Sequence, residues 1–200
     1  MKILNEDLYG SAPDKCPVVL VIIDMINDFD FPDGEALFNN SLPAAKNIKA
    51  LKNRAKKEHV PIIYVNDNFG KWKSDFKVLT EHVINENTLG KPIAEMLRPE
   101  PEDYFVLKPK HSGFYSTTLE ILLDHLGADK IILTGITSDI CLFFTASDAY
   151  LRDYKLIIPS DCSAAVNNDQ HKIAMENMER ILKAEVCTSA EIDLIQSKKN

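Results

Sequence analysis

The chain alternates short, continuous apolar runs with longer segments whose apolar residues recur at helical spacing. The clearest run, PVVLVII at residues 17–23, is typical of a parallel strand that is covered on both faces. Further strands are predicted at Pro61–Val65, Tyr104–Leu107, Lys130–Thr134, Leu156–Ile158 and Glu185–Cys187.

Helices are predicted between these strands. Their predicted ranges are Pro43–Lys57, Thr117–Leu126, Ser138–Leu151, Asn168–Lys183 and Ala190–Gln196. In the helix at 168–183, the predicted buried stripe consists of Ile173, Met178, Ile181 and Leu182. The stretch Asn66–Leu89 is irregular, and its length favours a functional loop or a lid.

This alternation predicts a single α/β domain over residues 1–200, with a mostly parallel sheet of about six strands and helices on both faces. In such a sheet, ligands bind beyond the carboxyl ends of the strands. Residues that directly follow a predicted strand are therefore the first candidates for a functional site.

Composition narrows the classes of function. A formal net charge of −7 argues against binding nucleic acid through its phosphates. No apolar run approaches the roughly 20 residues that span a bilayer, and acidic residues occupy the N-terminus where a signal peptide would be apolar. We therefore expect a cytoplasmic protein with no membrane or nucleic-acid partner. Its four cysteines lack CxxC or zinc-finger spacing, so we expect free thiols.

The segment KIILTGITSDIC, residues 130–141, places a cysteine close to the start of a helix. A predicted strand stops at Gly135, Thr137 and Ser138 offer N-cap oxygens, and Cys141 falls in the first helical turn. Unpaired N–H groups and a partial positive charge at this helix end favour a thiolate, which predicts a lowered thiol pKa. The N–H of Cys141 and one from the Ile136–Thr137 bend would bind an oxyanion.

Two more reactive residues directly follow predicted strands. Asp24 follows PVVLVII and Lys108 follows YFVL, so in a parallel sheet both would share one edge with Cys141. Cys141 would act as the nucleophile, Asp24 as general base and acid, and Lys108 as a nearby positive charge. Each also fits an ordinary structural role: Asp24 as a turn cap, Lys108 as a solvated lysine and Cys141 as a small buried apolar residue.

Three longer motifs carry a family resemblance. VIIDMINDF, VLKPKHSGFYSTTLEILL and GITSDICLFFTASDAYLRDY, in this order, resemble the isochorismatase-like cysteine hydrolases over nearly the whole chain. The resemblance implies a three-layer α/β/α sandwich and a catalytic set that corresponds to Asp24, Lys108 and Cys141. It also implies a cis peptide between Ile136 and Thr137, and a dimeric or tetrameric assembly.

Departures from the family's patterns narrow the predicted chemistry. True isochorismatases lack the cysteine and hydrolyse a vinyl ether, whereas Cys141 favours attack on an amide-type carbonyl. Nicotinamidases carry a DxHxxxH metal motif after the second strand, but the segment Asp67–Trp72 has the aspartate and neither histidine. We therefore expect neither a catalytic metal nor another cofactor.

Several residues near the three motifs are candidates for contacts with a small-molecule substrate. The candidate substrate-binding residues are Phe29, Asn68, Trp72, Phe114 and Tyr115. Phe29 also fits a loop-shaping role, Trp72 a loop anchor, and Phe114 and Tyr115 the core. His111 fits a second acid or base, although an exposed loop histidine is the more ordinary interpretation. Cys162 is ambiguous, and a structural role is favoured.

The leading functional hypothesis is a cysteine hydrolase that cleaves a small amide, carbamoyl or ureido C–N bond through an acyl-enzyme on Cys141. One alternative is an inactive binding or interaction protein built on the same scaffold, although a decayed site would be expected to lack at least one of the three residues. The other alternative is a vinyl ether hydrolase of the isochorismatase type. The physiological substrate is not readable from the sequence.

Overall fold

The computed structural model describes residues 15–70, 75–86 and 88–194. The strands are β1 (Val18–Ile23), β2 (Ile62–Asp67), β3 (Tyr104–Lys108), β4 (Lys130–Ile136), β5 (Lys155–Pro159), β6 (Ser163–Ala164) and β7 (Glu185–Cys187). The helices are α1 (Gly34–Lys57), α2 (Phe76–Asn85), α3 (Lys91–Met96), α4 (Leu119–Leu126), α5 (Cys141–Tyr150) and α6 (Asn168–Leu182). Short 3₁₀ turns occupy Ser160–Cys162 and Ser189–Glu191.

The strands form one seven-stranded sheet in the order β3-β2-β1-β4-β5-β7, with β6 paired to the end of β4. The pairs along this order, and the β4–β6 pair, are parallel. The apolar run at the start of the chain forms β1 in the middle of this sheet, where Val19–Ile23 is fully buried. This confirms the predicted mostly parallel sheet and adds one short strand, β6.

Two apolar layers cover the sheet. Helices α1, α2 and α3 pack on one face, and α4, α5 and α6 pack on the other. Alternate residues of β1 enter the two layers, since Leu20 and Ile22 belong to the first and Val19 and Val21 to the second. The fold is therefore the predicted three-layer α/β/α sandwich. Within the described residues, no helix is both long and apolar enough to cross a bilayer.

Helix α1 begins at Gly34, well before the predicted start at Pro43. A proline inside a helix removes one backbone hydrogen bond and usually breaks the helix. Here Leu37 on the N-terminal side and Ala44 and Ala45 on the other are all buried, so packing on the sheet holds the two parts together.

The stretch Asn66–Leu89, predicted to be irregular, contains helix α2. Asp75 caps this helix by accepting a hydrogen bond from the Val78 N–H at 2.8 Å. Phe76 in its first turn packs against the rings of Tyr64 and Phe105. Tertiary packing of this kind stabilises a ten-residue helix, which would be marginal by itself in water.

Two C-terminal predictions are wrong in detail. In α6, Ile173 and Ile181 are 56% and 46% exposed, because the buried stripe lies about one position away. The buried residues of this helix are Ala174, Met175, Met178 and Leu182. The helix predicted at 190–196 is only the 3₁₀ turn Ser189–Glu191 over the described residues, and residues 195–196 lie outside them.

Candidate active site

Three predicted site residues lie at the carboxyl ends of parallel strands. Asp24 follows β1, Lys108 is the last residue of β3, and Cys141 begins α5 after the turn that follows β4. Because β1, β3 and β4 lie close together in the sheet order, Asp24, Lys108 and Cys141 lie at the same edge of the sheet. The structure brings the three side chains into contact distance.

Asp24 is held by hydrogen bonds on both sides. Its backbone is left-handed, with φ 52°, a region that aspartate and asparagine adopt more readily than most residues. Its N–H donates to the Val65 carbonyl at 2.9 Å, and its Oδ1 accepts the Asp67 N–H at 2.7 Å. Its Oδ2 lies 2.8 Å from Lys108 Nζ. The carboxylate orientation is therefore fixed by neighbouring strands.

Lys108 connects the carboxylate to the thiol. Its side chain is fully buried, and Nζ donates toward Cys141 Sγ at 3.5 Å. Nζ also lies 3.5 Å from Oδ2 of Asp67, the residue that faces Lys108 in the β2–β3 register. Asp67 is a site residue that the sequence reasoning did not assign to this cluster. Its position just after the predicted second strand could have identified it as a candidate for the same site.

Cys141 is the first residue of α5, so its backbone N–H has no intrahelical acceptor. The N-cap is Ile140, and no side chain caps this helix end. The prediction of an N-cap at Thr137 or Ser138 is therefore wrong. The Ser138 hydroxyl instead lies 3.0 Å from His171 Nδ1, and the Thr137 hydroxyl is buried without a protein partner.

The turn before Cys141 follows a tightly packed strand end. A side chain at Gly135, where φ is 114°, would overlap the backbone of Ile23 on β1. The next peptide bond, between Ile136 and Thr137, is cis. The Thr137 carbonyl accepts the N–H groups of Ile140 and Leu142, which stand on either side of Cys141. The N–H groups of Thr137 and Cys141 as an oxyanion hole stay a prediction.

Burial and charge set the protonation states at this site. Burial and the Asp24 carboxylate together raise the pKa of the Cys141 thiol to about 12, although Lys108 opposes the rise. Burial also raises the pKa of Asp24 above its usual range, while Lys108 opposes that shift. Burial lowers the pKa of Lys108, but the charges of Asp24 and Cys141 outweigh burial and leave it raised. The expected lowering of the thiol pKa is wrong for the resting site.

The predicted substrate-contacting residues are scattered. Phe29 is 3% exposed and packs against the rings of Phe31 and Phe38, so it is a core residue of the α1 layer. Asn68 is buried beside a small cavity that Asp67 also lines. Their roles in substrate binding stay predictions.

Phe114 is 5% exposed, and its ring packs against Tyr154 and the guanidinium group of Arg152. The N–H of its neighbour Gly113 donates to Thr145 Oγ1, one helical turn along α5 from Cys141. The role of Phe114 in substrate binding stays a prediction. Tyr115 is 57% exposed, and Trp72 lies outside the described residues.

The two residues left ambiguous by the sequence are now placed. His111 Nδ1 lies 3.9 Å from Cys141 Sγ, at the site, and its ring packs against Phe144. Cys162 is fully buried in the core of the α1 layer, in agreement with the favoured structural role.

The residues after β2 do not fit the metal site of nicotinamidases. Phe69 occupies the first histidine position, and Asp67 already faces Lys108 and accepts the Phe69 N–H at 2.7 Å. Over residues 15–70, 75–86 and 88–194, no three histidine, cysteine or acidic side chains form a group that could hold a metal ion. The absence of a catalytic metal stays a prediction.

The chain is similar in sequence and in fold to known proteins. The chain is 42% identical over 178 residues to a Bacillus subtilis protein described as an uncharacterized isochorismatase family protein, covering 89% of this chain and 97% of the relative. It is 28% identical to an isochorismatase from Bacillus subtilis over 93% of this chain and 60% of the relative.

A solved N-carbamoylsarcosine amidase from Thermoplasma acidophilum is similar in structure. It has a TM-score of 0.67 and 28% identity, covering 89% of this chain and 99% of that one. The family model for the isochorismatase domain matches residues 18–191. The chain therefore belongs to the isochorismatase family of hydrolases.

Proposed function

We propose that this protein cleaves a C–N bond of a small amide, carbamoyl or ureido compound through a covalent acyl-enzyme on Cys141. The observation that carries the proposal is the contact of one buried ammonium group, Lys108 Nζ, with Asp24 Oδ2 at 2.8 Å and Cys141 Sγ at 3.5 Å. A nucleophile and its base within one hydrogen-bonded set are the requirements of covalent catalysis. The likeness to N-carbamoylsarcosine amidase supports the bond type.

Acylation follows from the protonation states. Because burial and Asp24 raise the pKa of Cys141 to about 12, the resting sulfur carries its proton. As sulfur attacks the carbonyl carbon, Asp24 accepts that proton, and the new oxyanion is bound by the N–H groups of Thr137 and Cys141. Asp24 then protonates the leaving nitrogen, the C–N bond breaks, and an acyl thioester remains on Cys141.

Deacylation uses the same groups in reverse. Asp24, again a carboxylate, accepts a proton from water as the water oxygen attacks the thioester carbon. The C–S bond breaks, and the sulfur regains the proton from Asp24. Lys108 keeps its charge throughout, and its pKa is held above the ordinary value by Asp24 and Cys141. No metal or redox partner is needed to balance these steps.

A screen for ammonia release across amides, carbamoyl compounds and ureides tests the proposal. Nicotinamide and isochorismate belong in the same screen, because turnover of isochorismate alone would indicate the vinyl ether reaction instead. On any substrate found, Cys141→Ala and Cys141→Ser should abolish turnover, and a covalent adduct on Cys141 should appear in the mass spectrum of the wild type.

Cys187→Ala is the matched control, since Cys187 is a free, partly exposed cysteine of β7 outside the cluster. It should keep the wild-type rate. Wild-type turnover in Cys141→Ala would overturn the nucleophile assignment. A protein that hydrolyses none of these compounds, and forms no covalent adduct on Cys141 with any of them, would support the inactive-scaffold alternative.

A further inference from the structure

The Cys141 sulfur lies between a buried ion pair and an exposed imidazole. On the buried side are Asp24 and Lys108, which are 6% and 0% exposed. His111 is exposed, and its Nδ1 lies 3.9 Å from the sulfur. The mechanism proposed above uses the buried side only. It assigns no task to the imidazole, although this ring is within reach of the reacting atoms.

The position of His111 is fixed relative to the nucleophile. Its ring packs against Phe144, with ring centroids 5.7 Å apart. Phe144 lies three residues after Cys141 on α5 and therefore on the same helix face. The imidazole and the sulfur are thus both located by the first turn of one helix.

Hydrogen bonds attach the loop that follows His111 to the same helix. Thr145 Oγ1 donates to the Cys141 carbonyl at 2.7 Å and accepts the Gly113 N–H at 3.0 Å. Ser112 Oγ donates to Asp148 Oδ2 at 2.5 Å. The hydrogen bond between Gly113 and Thr145 is buried, so this part of the attachment is shielded from water. His111 is therefore a built part of the site, in contrast to a histidine on a free surface loop.

During acylation, one substituent of the substrate carbonyl must lie on the exposed side of the sulfur, where His111 is. The carbonyl carbon bound to sulfur carries an oxygen, a leaving nitrogen and an acyl substituent. The oxygen needs the N–H groups at the start of α5, and the leaving nitrogen must lie near buried Asp24 to receive its proton. The acyl substituent then faces the exposed side, where a group 3.9 Å from sulfur is within hydrogen-bonding reach of its first atom.

We propose that His111 contacts this first atom and selects substrates that carry an N–H there, which are carbamoyl and ureido compounds, over simple aliphatic amides. This inference rests on the proposed function. A neutral imidazole offers one acceptor nitrogen, which suits the N–H of a ureido group and leaves a CH₂ in the same place without a partner. A site built around a polar contact discriminates strongly against an analogue that lacks it.

Two probes that differ only at this atom test the inference. N-carbamoylglycine has an N–H next to the carbonyl carbon, and succinamate has a CH₂ there; both release ammonia when hydrolysed. We expect His111→Phe, which keeps a ring on Phe144, to lower kcat/KM for N-carbamoylglycine about tenfold and to change that for succinamate little. His111→Gln, which keeps an acceptor, should retain part of the preference.

His125→Phe is the matched control. His125 is exposed near the end of α4, just before β4 begins, and so lies toward the opposite edge of the sheet. It should leave both rates unchanged. Equal losses on the two probes in His111→Phe, or no loss on either, would overturn the inference and leave the role of Cys141 intact.

A binding measurement separates this inference from the proposed function. If wild type hydrolyses neither probe, calorimetric titration of both into Cys141→Ala, with and without His111→Phe, decides the point. Tighter binding of N-carbamoylglycine that is lost with His111→Phe supports the selection by His111. Equal affinity for the two probes in Cys141→Ala contradicts it. Turnover retained in Cys141→Ala would instead overturn the covalent mechanism alone.

Discussion

Two fully buried lysines, Lys52 on α1 and Lys108 on β3, lie near opposite ends of strand β3. Lys108 is the last residue of β3, and Lys52 on α1 contacts Asp103, which directly precedes β3. Both form a close ion pair, at 2.6 Å for Lys52 with Asp103 and 2.8 Å for Lys108 with Asp24. A buried ion pair alone therefore does not distinguish a reactive site from a structural one.

The two lysines differ in the acceptors that their remaining N–H donors contact. An ammonium group has three N–H donors, and Lys52 Nζ donates to three oxygens: Asp103 Oδ2 at 2.6 Å, the Tyr64 hydroxyl at 2.9 Å and the Arg98 carbonyl at 3.3 Å. A fourth oxygen, Glu100 Oε1, lies 3.5 Å away. Lys52 is thus saturated with oxygen acceptors in the resting state, as a structural contact requires.

Around Lys108 one donor faces a thiol, which is a weak acceptor. That contact becomes strong only when the sulfur gains negative charge during the reaction. Interactions that strengthen in the transition state are those that accelerate a reaction. The donor of Lys108 that faces a weak acceptor, in contrast to the saturated Lys52, supports the catalytic role proposed for Lys108.

The largest expected effect is on turnover and should separate the two lysines completely. Lys108→Met removes the positive charge beside Asp24, so the pKa of this carboxyl rises further and a smaller fraction of the base is ionised. We expect kcat/KM to fall by about 10²–10⁴-fold in steady-state kinetics. Lys52→Met should keep the wild-type kcat/KM below its unfolding temperature. Similar activity losses in both variants would contradict the distinction.

The second expected effect is on stability and concerns Lys52. Lys52→Met leaves the buried Asp103 carboxylate without its closest partner and should reduce the free energy of unfolding by roughly 3–5 kcal/mol in urea denaturation. The double variant Lys52→Met with Asp103→Leu should recover much of this loss, because an apolar pair replaces an ion pair. No recovery would indicate that Lys52 acts mainly through Tyr64 and Arg98.

The third expected effect concerns thiol acidity. Because the Asp24 carboxylate contributes to raising the pKa of Cys141 to about 12, Asp24→Asn should lower that pKa while Lys108 keeps its charge. We expect alkylation of Cys141 by iodoacetamide at neutral pH to become faster in this variant although turnover is lost. Slower alkylation would show that Asp24 and Lys108 do not act on the sulfur as described. Cys187 is the internal reference for the labelling rate.

The pH dependence of the wild-type rate also tests the protonation states of Asp24 and Cys141. Asp24 must be ionised to accept the thiol proton, and burial raises its pKa above the ordinary value of an aspartate carboxyl. The rate should therefore fall as pH drops through this raised pKa, and this acidic limb should move to still higher pH in Lys108→Met. No rise from thiolate formation is expected near pH 9, because the pKa of Cys141 is raised to about 12.

The smallest expected effect belongs to a lysine at the surface. Lys56 is 22% exposed and contacts Glu100 at 2.7 Å and Glu102 at 3.0 Å, next to the Lys52 cluster. Partly exposed pairs contribute little, so Lys56→Ala should change the free energy of unfolding by about 1 kcal/mol or less. A loss as large as that of Lys52→Met would show that the cluster acts as one cooperative unit.

Sequence reasoning located the parts of the site that depend on strand order. Asp24, Lys108 and Cys141 each follow from the end of an apolar run, and parallel strands bring such ends together. Sequence reasoning failed for features that depend on loop conformation or on burial. The contact of His111 with the sulfur depends on the attachment of its loop to Thr145, and the raised pKa of Cys141 depends on burial, neither of which spacing reveals.

The left-handed backbone at Asp24 restricts what can replace this residue. Asparagine and glycine adopt that conformation readily, whereas a glutamate, serine or valine would add roughly 1–3 kcal/mol of strain to the loss of the base. Relatives that have abandoned the chemistry should therefore carry asparagine or glycine at the corresponding position. That signature would identify non-catalytic descendants of this fold from their sequences alone.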